Sequence, residues 1–132
     1  MAITQYTFLN SFLDIIEKYK IEYWLEGGTA LAAYRDGKIL SWEHDFDIGV
    51  WKNDINSKLL DLKYEFQKIN CKFVIQKNFP FIDNLVQIYS LDKSNNPNQI
   101  DIYLYTKKNN NAYMRWFHKP EGFYGYFLKS YI

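Results

Sequence analysis

Three stretches of this sequence hold residues whose types and spacing suit chemistry at phosphorus. In Asp45-Phe46-Asp47 two carboxylates stand at alternate positions of an extended segment that runs to Trp51. Alternate residues of a strand share a face, so both acids project together while Phe46 and Ile48 point the other way, into a core. Two like charges that close repel. A divalent cation relieves the repulsion, and hard carboxylate oxygens suit magnesium or manganese. Asp101, in Gln99-Ile100-Asp101-Ile102-Tyr103-Leu104-Tyr105, is an acid among apolar neighbours in a second extended run. Beside the first pair it would complete a three-carboxylate site, able to hold two cations about 3.5–4 Å apart for in-line displacement. The third stretch, Gly27-Gly28-Thr29, opens a helix. Paired glycines let the backbone approach a ligand closely, and the helix N-terminus offers N–H groups to phosphate.

Each feature has a plain structural alternative. A double glycine can be a simple turn, and an Asp-x-Asp pair can be a solvated strand edge. Asp101 can share a solvent face with Gln99, Tyr103 and Tyr105. Only two of the 16 basic residues are arginines, Arg35 and Arg115. From one or two turns into the helix, the planar fork of Arg35 can reach back to a phosphate. Its alternative is a surface ion pair with Asp36 or Glu26. His44, with an ordinary pKa of about 6.5, could shuttle a proton; the better reading is a hydrogen-bonded spacer that orients Asp45. Trp42 reads as packing under the Asp45–Asp47 strand, and His118 as a loop residue.

Hydrophobic spacing defines the elements that must position these groups. Phe8, Leu9, Phe12, Leu13, Ile15, Ile16 and Tyr19 predict an amphipathic helix from about Thr4 to Lys20. Ile21–Leu25 is a short β-rich run, and Ala30 to about Arg35 a second helix, capped by Thr29 and ended near Gly37. Ile39–Trp42 reads as extended and Phe46–Trp51 as a strand. A third helix starts at Asn53 or Asp54, with Ile55, Leu59, Leu62, Phe66 and Ile69 on one face. After Cys71 the period changes to two, which predicts strands at Lys72–Gln76, Leu85–Leu91 and Gln99–Tyr105, a turn at Ser94–Asn98, a polar turn at Lys107–Asn111 and a further strand at Ala112–Phe117. The pattern is α+β, in a single domain spanning 1–132.

Composition bounds the function. The 132 residues are 48% hydrophobic, which excludes a disordered chain, and the 12 Tyr, 10 Phe and 4 Trp can build a core. A net charge of +1 excludes a generic basic nucleic-acid coat. A lone cysteine, Cys71, excludes an intrachain disulfide and a cysteine-based zinc cluster, and favours a reducing compartment. With no signal-peptide pattern and no transmembrane segment in the sequence, the expected location is cytoplasmic. The aromatic cluster Trp116, Phe117, Phe123, Tyr124, Tyr126 and Phe127 reads as core or as a homo-oligomer interface.

A glycine pair opening a helix, then a paired-acid strand, then a lone acid on a later strand is the layout of the DNA polymerase beta-type nucleotidyltransferase superfamily. Within it, Leu25-Glu26-Gly27-Gly28-Thr29-Ala30-Leu31-Ala32-Ala33-Tyr34-Arg35 and Ile39-Leu40-Ser41-Trp42-Glu43-His44-Asp45-Phe46-Asp47-Ile48-Gly49 resemble the LicD/fukutin family. Members are phosphotransferases that move a phosphorylated alcohol, such as phosphocholine or ribitol phosphate, from a CDP-linked donor to a glycan. The resemblance implies a minimal nucleotidyltransferase fold, a mixed β-sheet flanked by helices on one side. It implies that Asp45, Asp47 and Asp101 bind magnesium or manganese, with Asp101 as the base. It also implies that Gly27, Gly28 and Thr29 cradle the donor phosphates and that Arg35 contacts the pyrophosphate. The family's histidine after the arginine is Asp36 here, its proline before the tryptophan is Ser41, and His44 takes a place often acidic. Two other functions share these motifs. One is transfer of a nucleotide itself, as in antibiotic-modifying or toxin-type nucleotidyltransferases, some of which carry the Gly27–Leu31 string. The other is a non-catalytic relative that only binds. A glycosyltransferase using Asp45-Phe46-Asp47 would need alternating βα units, which this sequence lacks.

Overall fold

The computed structural model describes residues 7–38, 45–76, 85–95, 97–114 and 129–131. Helix α1 (Thr7–Lys18) buries Phe8, Leu9, Phe12, Ile15 and Ile16, a stripe at helical spacing. Strand β1 (Tyr23–Leu25) leads into α2 (Gly27–Asp36), which ends at Gly37 in the left-handed conformation. Strand β2 (Asp45–Trp51) is followed by two short helices, α3 (Lys52–Asn56) and α4 (Leu59–Lys68). Strands β3 (Cys71–Gln76), β4 (Leu85–Ser90), β5 (Gln99–Lys108), β6 (Asn111–Met114) and β7 (Lys129–Tyr131) complete the described chain.

The main sheet has the order β1-β2-β5-β4-β3, and β6 and β7 extend it from the far end of β5. Strands β2 and β5 run parallel; every other pairing is antiparallel. Alternation then sorts the side chains. Phe46, Ile48 and Val50 of β2, Val86 and Ile88 of β4, and Ile100, Ile102 and Leu104 of β5 enter one buried cluster. Phe12 and Ile16 of α1, Ile55 of α3, and Leu62 and Phe66 of α4 join that cluster, so these helices cover one face. Phe12 and Phe66 stack at 5.7 Å. Lys18 and Lys68 both reach the Glu65 carboxylate, at 2.8 and 2.7 Å, tying α1 to α4. This is the expected α+β architecture with a mixed sheet and flanking helices.

Three elements differ from the sequence reading. Helix α2 starts at Gly27 with Glu26 as its N-cap, so Thr29, expected to cap it, lies inside the first turn and accepts the Asp47 N–H instead. The single third helix is broken at Ser57-Lys58, where Lys58 has φ −126° and the Ser57 hydroxyl donates to the Asp54 carbonyl. Both short helices present apolar residues to the same core, so the apolar spacing runs on across the break. Ile69, the last residue of the expected face, is 36% exposed beyond α4. The polar turn at Lys107–Asn111 shrinks to Asn109-Asn110, both at positive φ, between the paired Lys108 and Asn111. That is the backbone a two-residue hairpin demands, and asparagine tolerates it. The Ile39–Trp42 segment, Glu43, His44, Arg115, His118 and the aromatic cluster from Trp116 to Phe127 lie outside the described residues.

Candidate active site

Parallel pairing of β2 with β5 sets the site. Asp47 lies opposite Asp101 and Asp45 opposite Gln99. The apolar residues of both strands face the helices, so the acids leave from the other face. One carboxylate oxygen from each of Asp45, Asp47 and Asp101 lies within 4.8 Å of the others. Asp101 is buried, and the other two are half-buried. The oxygen Oδ1 of Asp47 is itself buried outside any hydrogen bond.

The glycine loop is stitched to this strand through the backbone of Asp47. The Asp47 N–H donates to Thr29 Oγ1 at 2.9 Å, and the Glu26 N–H donates to the Asp47 carbonyl at 2.9 Å. Thr29 is buried, whereas Gly27 and Gly28 are exposed. Gly27 has φ +51°, which an L side chain rarely adopts, and a Cβ there would already touch Asp47 Oδ2. Thus the start of α2, with its unsatisfied first-turn N–H groups, stands beside the acids.

Around the acids sits a ring of polar and aromatic side chains. Asp101 Oδ1 accepts from Gln87 Nε2 at 3.0 Å and from Gln99 Nε2 at 2.9 Å. The Tyr89 hydroxyl donates to Gln87 Oε1 at 2.9 Å. Burial pushes the Tyr103 hydroxyl far above its ordinary pKa, and the charges of Asp47, Asp101, Glu26 and Asp45 push it further. Tyr89 is also raised, by burial first and then by Asp101. Four carboxylates therefore act on one phenol, a measure of how negative this face is. Glu26 takes part by accepting from Trp24 Nε1 at 2.9 Å, and the Trp24 indole packs edge-on against Trp51 and Tyr105. The indole crosses over Gly49, where any Cβ would collide with Trp24 and Glu26.

Residues 20–132 match the family LicD/FKTN/FKRP, nucleotidyltransferase domain. The chain belongs to the LicD/FKTN/FKRP family. Ribitol 5-phosphate transferase FKRP of Homo sapiens is 40% identical over 45 residues, 34% of this chain and 9% of that protein. The chain thus matches a small part of the length of this relative. Among solved structures, the lincosamide antibiotic adenylyltransferase LnuA has a TM-score of 0.57 at 20% identity, over 92% of this chain and 66% of that one. The antibiotic-resistance factor ANT(2'')-Ia has 0.56 at 16%, over 92% and 60%. The fold is therefore that of a nucleotidyltransferase.

In this LicD-family chain the residues named from the sequence separate into two groups. Asp45, Asp47, Asp101 and the Gly27-Gly28-Thr29 turn converge. Arg35 sits eight residues beyond Gly27, about 12 Å along the helix, where its guanidinium pairs with Asp36 at 3.2 Å. Five neighbours of the acids were not expected as participants: Glu26, Gln87, Tyr89, Gln99 and Tyr103. Gln99 and Tyr103 share strand parity with Asp101, a usable signal; Gln87 and Tyr89 depend on a register that spacing does not encode. An open groove of about 350 Å³ beside Trp51, Lys52 and Tyr105 lies at the far end of β2, away from the carboxylates. Three clustered carboxylates are the donor set that hard divalent cations take, so the residues fit such an ion. No helix among the described residues is long and apolar enough to cross a membrane.

Proposed function

We propose that this domain transfers a phosphorylated alcohol, of the phosphocholine or ribitol phosphate class, from a CDP-linked donor to a glycan hydroxyl, with magnesium or manganese held by Asp45, Asp47 and Asp101. The observation that carries this reading is the meeting of the three carboxylates beside the Gly27–Thr29 loop, in a family whose matched member FKRP is a ribitol 5-phosphate transferase. A divalent cation bound there screens the charge of the donor diphosphate and of the departing nucleotide. Gly27 and Gly28 leave the first-turn N–H groups of α2 open to phosphate oxygens. Thr29 holds Asp47 in place from below. Arg35 exchanges its pairing with Asp36 for the donor pyrophosphate. Asp101 accepts the proton of the attacking hydroxyl. The hydroxyl oxygen bonds to the phosphorus that bears the alcohol, the bond from that phosphorus to the bridging oxygen breaks, and CMP leaves.

The test is a transfer assay with manganese and radiolabelled CDP-choline or CDP-ribitol, set against labelled CTP and ATP. Release of CMP with movement of the alcohol phosphate is expected. Release of pyrophosphate with movement of a nucleotide would establish the second reading, which rests on the Gly27-Gly28-Thr29-Ala30-Leu31 string. A chain that binds neither cation nor nucleotide contradicts both.

A further inference from the structure

Asp101 is held by two side-chain amides. Its Oδ1 accepts from two amides at once, Gln87 Nε2 at 3.0 Å and Gln99 Nε2 at 2.9 Å. Gln87 is its register partner on β4, and Gln99 precedes it by two on β5, on the same face. Gln87 is oriented in turn, because Tyr89 donates its hydroxyl proton to Oε1 at 2.9 Å. The polarity of this chain is forced. An ionised carboxylate only accepts, so both glutamines must turn their NH₂ groups to it. The carbonyl of Gln87 then faces Tyr89, and the phenol must donate.

The geometry points to Gln87 and Gln99 as positioning residues that set the roll of the Asp101 carboxylate. The final torsion of an aspartate side chain is broad and soft, so a lone Asp101 would swing its two oxygens freely. Two donors on Oδ1 stop that swing and leave Oδ2 as the oxygen that carries neither amide. In the proposed reaction, on which this inference rests, that fixed carboxylate serves the cation and the attacking hydroxyl. Gln99 lies beside Asp45 in the parallel register, so one amide at the border of the site serves Asp101 while standing next to a second acid. Groups that orient ligating carboxylates commonly cost tenfold to a hundredfold in metal affinity when removed.

Manganese binding to the 132-residue chain tests this without any substrate. Affinity is read by electron paramagnetic resonance, with melting temperature followed in parallel. The variants are Gln87→Met, Gln99→Met, Asp101→Asn, and Asp101→Asn combined with Gln99→Met. Methionine keeps the length and removes the donor. Each Gln variant is expected to weaken manganese binding roughly tenfold or more, with the melting temperature little changed. In the Asp101→Asn background, Gln99→Met is expected to add no further loss, since the group it orients is gone. An equal loss in both backgrounds would mark a purely structural role and overturn the inference. Wild-type affinity in both Gln variants, with Asp101→Asn still weakened, would overturn it and leave the three-carboxylate reading intact. Absence of manganese binding to the wild type, or binding indifferent to Asp101→Asn, would overturn both.

Discussion

Asp47 and Asp101 are register partners on adjacent parallel strands, so their carboxylates leave one face a single inter-strand step apart, about 4.8 Å. The protein folds two anions against each other here and adds Asp45 within 4.8 Å. Such an arrangement opposes folding unless something positive settles on it, which makes the site a source of instability as well as the proposed seat of chemistry.

Replacing Asp47 or Asp101 by Asn should therefore separate the two properties. Transfer activity is expected to fall by at least about a hundredfold, the loss typical of a missing acid–base or charge-placing group. The melting temperature in chelator should equal or exceed that of the wild type, because a repulsion has been removed. A differential scan beside the activity assay checks both.

Added manganese should raise the melting temperature of the wild type, with a stabilisation that grows logarithmically with free concentration above Kd. At a free concentration a hundred times Kd the gain is about 2.7 kcal/mol. Asp47→Asn should show little of this shift, and chelator should reverse it in the wild type.

Thr29 is buried and accepts the Asp47 N–H. Thr29→Val keeps the shape and removes the acceptor, which strands a backbone donor. The expected loss is about 1–3 kcal/mol in urea unfolding. Thr29→Ser should retain most of the stability, whereas a hydroxyl that served only to bind phosphate would leave stability unmoved in both variants.

Two ionisable groups give a pH dependence with opposite signs. Hydrogen bonds from Lys18 and then Lys68 hold the Glu65 carboxyl below its ordinary value of 4.5. The stability this contributes is present above that value and is lost as pH falls through the lowered one, so Glu65→Gln should flatten the acid limb of the unfolding curve. Burial pushes the Cys71 thiol from 9.0 up to about 11. Its contribution is complete below pH 9 and fades as pH rises towards 11. Alkylation of the native protein at pH 8 should be slow, and it should become fast in denaturant.

What sequence reading captured here was local. Alternation along Asp45–Trp51 and Gln99–Tyr105 assigned strands and faces correctly, because a period of two is written in adjacent residues. The glycine pair marked a helix start, but α2 begins at Gly27 itself rather than at Ala30 after a Thr29 cap. What escaped was set by distant partners. Nothing near Gln87 says that it will lie opposite Asp101. The side chain of Thr29, expected to cap α2, is turned to the Asp47 backbone because α2 packs against β2. The break at Ser57-Lys58 was hidden because a shared core demands apolar residues on both sides of it.

One consequence concerns the order of synthesis. Strand β5 lies between β4 and the much earlier β2. A ribosome exposes Asp45 and Asp47 while their only described strand neighbour is β1, and β3 with β4 can zip into a hairpin behind them. Long-range parallel pairing comes late because its loop must close first. The proposed cation site is thus completed in a single event, when the strand bearing Asp101 slides into the slot left for it.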